Sequence, residues 1–527
     1  MTAKPAAAPS LPFGAELVWL PTADEMAELD RSARESGAIP ERALIESAGR
    51  EIAHAVQRDF PTGCVLALVG SGHNGADALV ASRTLAAWGR EVRAVRCGSN
   101  PPEPNVLAGW PLELEGPEGL DALLTSEAVV LDGLLGTGVT GAPREPVAGM
   151  IRSANASGLP IVAVDGPSGA DFTTGAVAGD CIKARTTVCL GWPNVGLMRY
   201  PARGYCGDLV AVEIGFPPPE SPMSFRAITD GWVSRLLLPR PANAHKGHSG
   251  YVTIIAGQRG MAGASVLAAR GAVRGGAGIV RVVGDPANRD IVQKAAPETI
   301  FVEWDDESAV REAVTWAHAL AVGPGLGSGR RDLVQAALEE AAREAKPAVV
   351  DADALNAWAG TADELADRLP PGSLITPHPG ELSRLVGRPI EEIVADGPMA
   401  ARDASRALRC AVLLKGAPSW VADGEAPVRV STSGDAALAT GGVGDVLTGL
   451  IGAQLAVGLT AADAASAALH LSGVSALLAP EPVGHSASEV PDRIPEARSL
   501  IMDSSSVAHP YLFVLPAPRG SPPAPAE

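Results

Sequence analysis

Twelve short apolar runs constrain this chain more than any other feature. Six lie between about residues 15 and 215: CVLALVG, EVRAVRC, AVVLDGLLG, LPIVAVDG, TTVCLG and DLVAVEIG. Six more follow Phe225: GYVTIIAG, GIVRVVG, HALAVGPG, KPAVVDADAL, SLITPHPGE and CAVLLKG. The runs are continuous rather than alternating. Each strand they form is therefore covered on both faces, the condition of a parallel sheet between two layers of helices. Helical stretches such as GADALVASRTLAAWG intervene. Between the two sets stands FPPPESP, Phe216 to Pro222, whose four prolines continue neither a central strand nor a helix. The expectation is α/β throughout, as two three-layer α/β/α domains at 1–222 and 223–505, with 506–527 a disordered tail. Aromatics make up only 4% of the chain, so the cores are built from Ala, Val and Leu.

The net charge of −18 argues against nucleic acid or an anionic membrane as a partner. No run of about 20 apolar residues is present to span a bilayer. The N-terminal MTAKPAAAPSLPFG lacks the apolar core of a signal peptide. The six cysteines, Cys64, Cys97, Cys181, Cys189, Cys206 and Cys410, include no CxxC pair and read as buried reduced thiols. A cytoplasmic protein is expected, with anionic ligands held locally by backbone amides.

In the first block, Gly70-Ser71-Gly72-His73-Asn74-Gly75 follows a strand and opens a helix, as a dinucleotide fingerprint would. The next strand, however, runs into Gly98-Ser99-Asn100 instead of the acid that would hold ribose hydroxyls. The loop also carries Asn74 and Asp77. Two further strand ends bear Asp132 before Gly136-Thr137-Gly138, and Asp165 with Ser168 and Asp171. In a parallel sheet such ends gather in one crevice. Acids and an Asn among glycine loops can hold a cation and a phosphate-bearing ligand, although each acid alone also reads as a helix N-cap.

In the second block, ATGGVGDVLTG places Gly441, Gly442 and Gly444 before Asp445 and an apolar helix. Glycines let backbone amides converge, and the helix adds its positive end. That makes an anion hole for a phosphoryl group, with Asp445 placed to take a hydroxyl proton. The alternative is that the glycines serve packing and Asp445 only caps the helix. Gly323 to Gly327, Asp351, Asp353, His378 and Lys415-Gly416 lie at other strand ends. No GxxxxGK[ST] occurs, which excludes a P-loop mechanism.

Taken in order, ALIESAGREIA, GSGHNGADALVASR, LDGLLGTG and VDGPSG resemble the YjeF N-terminal, NAD(P)H-hydrate epimerase family, with a Rossmann-like fold. That resemblance implies that Asn74, Asp132 and Ser168 hold K⁺. It implies that His73, Asn74, Gly75, Ala76, Asp77, Gly136, Thr137, Gly138, Val139, Thr140, Gly141, Ala142 and Asp165 contact the hydrated dinucleotide, with Asp165 the acid/base. The chain departs from the family pattern at Ser47, His73, Ala76 and Asn194.

The motifs AHKGHSGYVTIIAG, GMAGASVLAARGAVRGGAG, VGPGLG, VVDADAL, TPHPGEL, LLKG and ATGGVGDVLTG resemble the YjeF C-terminal, ribokinase-like NAD(P)H-hydrate dehydratase family. It implies hydrated NADH or NADPH at Ala264, Gly325, His378 and Asp445. It implies ADP or ATP, with Mg²⁺, at Lys415, Gly416, Ala417, Pro418, Ser419, Gly441, Gly442 and Gly444. A homo-oligomer is expected separately. Asp445 would be the catalytic base for phosphorylation followed by elimination. The alternative is a ribokinase-type small-alcohol kinase carrying a non-catalytic N-terminal binding module.

Overall fold

The computed structural model describes residues 17–35, 39–98, 105–124, 128–138, 140–237, 239–243, 246–504 and 511–519. The chain divides into two compact units, one of residues 1–226 with 508–527 and one of residues 227–507.

The first unit holds β1 (Cys64–Val69), β2 (Val92–Arg96), β3 (Leu114–Glu115), β4 (Ala128–Gly133), β5 (Ile161–Val164), β6 (Thr186–Leu190) and β7 (Asp208–Val212). They order as β7-β6-β5-β4-β1-β2-β3, every pairing parallel. The order reverses between β1 and β4, which is where a crevice opens at the strands' C-terminal ends. β1 and β4 pair in register from Cys64 with Ala128 to Val69 with Gly133. That brings the loops after both strands side by side.

β8 (Phe225–Ala227) spans the boundary between the units. The second unit then holds β9 (Tyr251–Ile255), β10 (Ile279–Gly284), β11 (Thr299–Glu303), β12 (Ala319–Val322), β13 (Ala348–Val350), β14 (Leu374–Ile375), β15 (Ala411–Leu414), β16 (Trp420–Ala422) and β17 (Val428–Val430). Their order is β11-β10-β9-β12-β13-β14-β15-β16-β17. The pairings are parallel up to β15 and antiparallel from β15 to β17. All twelve apolar runs contribute strands.

Two helices of this unit, Ala262–Arg274 and Val443–Ala456, cross with almost no side-chain layer between them. A Cβ at Gly449 would lie 1.9 Å from Ala268 O, and one at Gly271 would lie 2.3 Å from Val446 O. The core here is largely alanine and valine, as the low aromatic content requires.

The chain finally returns to the first unit. β18 (Phe513–Leu515) pairs antiparallel with β7, from Phe513 with Ala211 to Leu515 with Leu209. Arg58 stacks on Tyr511 at 3.7 Å, Arg203 donates to the carbonyls of Leu515 and Pro516, and Phe513 is buried. The disordered reading of 506–527 is therefore corrected for 511–519. Proline-rich flanks hid a three-residue apolar strand that has an unpaired sheet edge to join.

Candidate functional sites

The first site lies at the ends of β1, β4 and β5. Gly75, in the opening turn of the helix His73–Ala87, sits where a Cβ would fall 2.1 Å from Gly70 O. Only glycine permits the strand-to-helix turn that carries Asn74 into the crevice. The Asn74 amide donates to Leu135 O and Val164 O, both at 2.9 Å, joining the loops after β4 and β5. Its Oδ1 faces Gly136, where a Cβ would come within 2.6 Å.

Asp132 ends β4 fully buried. It accepts from Ser168 Oγ at 2.6 Å, Ser168 N at 2.9 Å and Leu134 N at 3.2 Å. All of these donors are neutral. Burial pushes its carboxyl up to about 6, against the bonds from Ser168 and Leu134. The Asp132 carboxylate, the Ser168 hydroxyl and the Asn74 amide oxygen are all oxygen donors, the class that hard cations take.

Asp165 directly follows β5 in the left-handed region, with φ 65. A non-glycine residue there is strained, and such strain concentrates at working sites. Its carboxylate accepts from Leu190 N at 3.1 Å, and burial pushes it up to about 6. Asp77 and Ala76 are buried in the same helix, whereas Gly138, Thr140, Gly141 and Ala142 are exposed around the mouth and Thr137 is half-buried there. His73 points outward and pairs with Glu41 at 2.8 Å. Val139 lies outside the described residues. Asn194 is fully buried, donates to Pro21 O at 3.2 Å, and leaves its Oδ1 without a hydrogen-bond partner.

The second site lies at the ends of β12 to β15. The helix Val443–Ala456 starts two residues before Asp445, with Gly442 as its N-cap at φ 95 and no capping side chain. Asp445 is thus in the first turn with its carboxylate unspent on the cap. Burial first, then the nearby Asp351, push it up to about 7; Lys415 pulls the other way and Asp353 adds to the rise. A carboxylate so tuned can both accept and release a proton near neutral pH.

Lys415 directly follows β15 and meets Asp351 Oδ1 at 2.7 Å and Glu381 Oε2 at 3.7 Å. Burial works against its charge, but these two acids outweigh it and hold its proton on. The Gly416–Ser419 turn closes on itself, with Ser419 Oγ 3.1 Å from Gly416 N. Gly325, at φ 58, approaches Ala264 so closely that a Cβ would lie 2.8 Å from the Ala264 Cβ. The two expected substrate contacts are therefore neighbours. His378 caps the helix Pro379–Val386, its Nδ1 accepting from Gly380 N and Glu381 N. Its Nε2 lies 3.4 Å from Glu381 Oε1.

The structure adds Asp351, Glu381 and Thr448 to this site. Asp351 was visible as an acid ending an apolar run, the same signal that marks Asp132 and Asp165. Nothing local marks Glu381 or Thr448. Among the described residues no three His, Cys, Asp or Glu side chains converge on a metal position.

Residues 252–496 match the family model described as NAD(P)H-hydrate dehydratase, and residues 41–196 match the one described as the YjeF-related protein N-terminus. The bifunctional NAD(P)H-hydrate repair enzyme Nnr of Gloeobacter violaceus is 39% identical over 445 residues, covering 79% of this chain and 85% of its own. The chain belongs to the bifunctional NAD(P)H-hydrate repair enzymes. The Escherichia coli protein of that name is 36% identical over 419 residues, 78% of this chain and 80% of its own. Among solved structures, an ADP/ATP-dependent NAD(P)H-hydrate dehydratase from Bacillus subtilis, co-crystallized with ATP/Mg2+, is 28% identical with a TM-score of 0.46, covering 52% of this chain and 97% of that one. Both family matches fall on the units that carry the two sites. Among the described residues no helix is long and apolar enough to cross a membrane.

Proposed function

We propose that this chain repairs hydrated NADH and NADPH. The first unit interconverts the R and S hydrates, and the second dehydrates the S form at the expense of ADP, giving NAD(P)H, AMP and phosphate. Family membership supports the pair of activities, and one observation carries the chemistry. Asp445 sits in the first turn of a glycine-capped helix with its carboxylate held near neutral pH.

At that position Asp445 takes the proton from the C6 hydroxyl of the hydrate. The freed oxygen attacks the terminal phosphoryl group, and AMP leaves. The backbone amides of 441–444 face the charge that develops on the phosphoryl oxygens. Phosphate then departs from C6 as C5 loses a proton, and the C5–C6 double bond returns. Lys415 and the Gly416–Ser419 turn hold the nucleotide, while Ala264, Gly325 and His378 line the dinucleotide. In the first unit Asp165 is the group that moves a proton at the inverting centre. K⁺ would be held by Asn74, Asp132 and Ser168, where it would compensate the buried Asp132 charge. A cytoplasmic homo-oligomer completes the reading, and the net charge of −18 supports the absence of a nucleic-acid partner.

The test is direct. Purified S-hydrate with ADP should regain the absorbance band of the reduced nicotinamide. Accumulation of a stable phosphorylated product instead would favour a kinase. R-hydrate supplied alone should be consumed by Asp445→Ala, which leaves the first unit intact.

A further inference from the structure

We propose that Asp351 is a positioning residue of the second site, one that locks Lys415 and the catalytic helix to each other beneath Asp445. The proposal rests on the dehydratase reading above.

Asp351 directly follows β13 and is 1% exposed. Both of its oxygens are committed across long stretches of chain. Oδ1 accepts from Lys415 Nζ at 2.7 Å, and Oδ2 accepts from Thr448 Oγ1 at 2.7 Å. The single hydroxyl proton of Thr448 lies between that oxygen and Gly444 O, 2.9 Å away. Gly444 sits directly over the ion pair, since a Cβ there would lie 3.6 Å from Lys415 Nζ and 3.8 Å from Asp351 Oδ2. One buried carboxylate therefore joins the nucleotide-side cation, the anion-hole glycine and the helix bearing Asp445. Breaking a buried charge pair at one end leaves the other end uncompensated, which is why such a link holds its geometry firmly.

The same carboxylate is a charge as well as a brace. Asp351 and Asp353 oppose ionisation of Asp445, whereas Lys415 favours it. Glu381 acts on Lys415. The other charged groups on the packed elements are spent elsewhere. Arg270 and Arg274 pair with Asp492, Asp463 with Arg429, and His470 with Asp230. Removing the Asp351 charge should thus ease the ionisation of Asp445, and it leaves Lys415 free to do the same.

The experiment is the pH dependence of kcat/KM for S-hydrate with ADP, in the full chain carrying Asp351→Asn, Thr448→Val or Thr448→Ser. In Asp351→Asn the acid limb should move to lower pH by about one unit. Its KM for ADP should rise as Lys415 loosens. Thr448→Val should lower kcat roughly tenfold or more without moving the limb, since placement is lost and charge is not. Thr448→Ser, which keeps the hydroxyl, should restore kcat. An Asp351→Asn limb that stays put or moves to higher pH overturns the proposal. If Asp351→Asn does not fold, a Thr448→Val enzyme with wild-type kcat overturns it instead. A wild-type enzyme that regains no NADH would defeat the dehydratase reading itself, a different result from any of these.

Discussion

Gly449→Ala tests whether the second site depends on the close crossing of two helices. The added Cβ would lie 1.9 Å from Ala268 O, a backbone atom that no rotamer change can move aside. Ordinary contact is about 3.5 Å, so the helices must part by roughly 1.5 Å. Overpacking of this kind costs about 1–3 kcal/mol. Replacing a mid-helix glycine by alanine returns about 1 kcal/mol through helix propensity. The net loss is then about 0–2 kcal/mol, or a Tm drop of up to about 8 °C. Activity should suffer more than stability. One helix carries Asp445 and the other Ala264, and a displacement of about 1 Å at a reacting centre costs on the order of 100-fold. Scanning calorimetry of the full chain, with NADH regain from S-hydrate and ADP, measures both. A Gly449→Ala enzyme with unchanged Tm and full kcat/KM would refute the reasoning.

With Asp445 titrating at about 7, kcat/KM for dehydration should fall about tenfold between its plateau and pH 6. The same group should affect stability in the opposite sense to a salt-bridged acid. Its folded pKa lies above the unfolded value of 3.8, so stability is lost as pH rises from about 4 through about 7. Asp445→Asn should accordingly be more stable than wild type at pH 8 by urea unfolding, with the difference gone near pH 4. In the first unit, Asp165→Asn should abolish epimerisation and leave dehydration of pure S-hydrate untouched; equal loss of both activities would contradict the assignment. Gly136→Ala would bring a Cβ to 2.6 Å from Asn74 Oδ1, so it should weaken both K⁺ dependence and epimerisation rate, read by comparing K⁺ with Na⁺ buffers.

The strands were legible because a sheet covered on both sides demands unbroken Val, Leu and Ile, and CVLALV or AVLL meets that demand locally. β11, TIFVE, is an edge strand with exposed Ile300, so its pattern was too weak to read. β16 and β17 are three-residue antiparallel strands that take their identity from β15. In the second site, Asp445 and the glycines before it announce themselves within seven residues. Thr448 and Glu381 do not. Thr448 matters through Asp351, and Glu381, besides closing the helix cap with His378, through Lys415, partners brought close by the fold from distant sequence. The helix start shows the same limit. Gly442 adopts φ 95 and becomes the cap, so the helix opens at Val443 and frees the aspartate that composition alone would have made the cap.

The return of β18 to β7 means that the second unit is an insertion in the first, with chain leaving at 226 and re-entering at 508. A fragment ending at Pro222 would keep every residue of the first site. It would also present Leu209 to Ala211 as a bare strand edge, open to another strand of any origin. A synthetic peptide spanning 508–519 should bind such a fragment and suppress its self-association. Excising the dehydratase for separate expression is thus the simpler cut, because only the epimerase half is made from two pieces of chain.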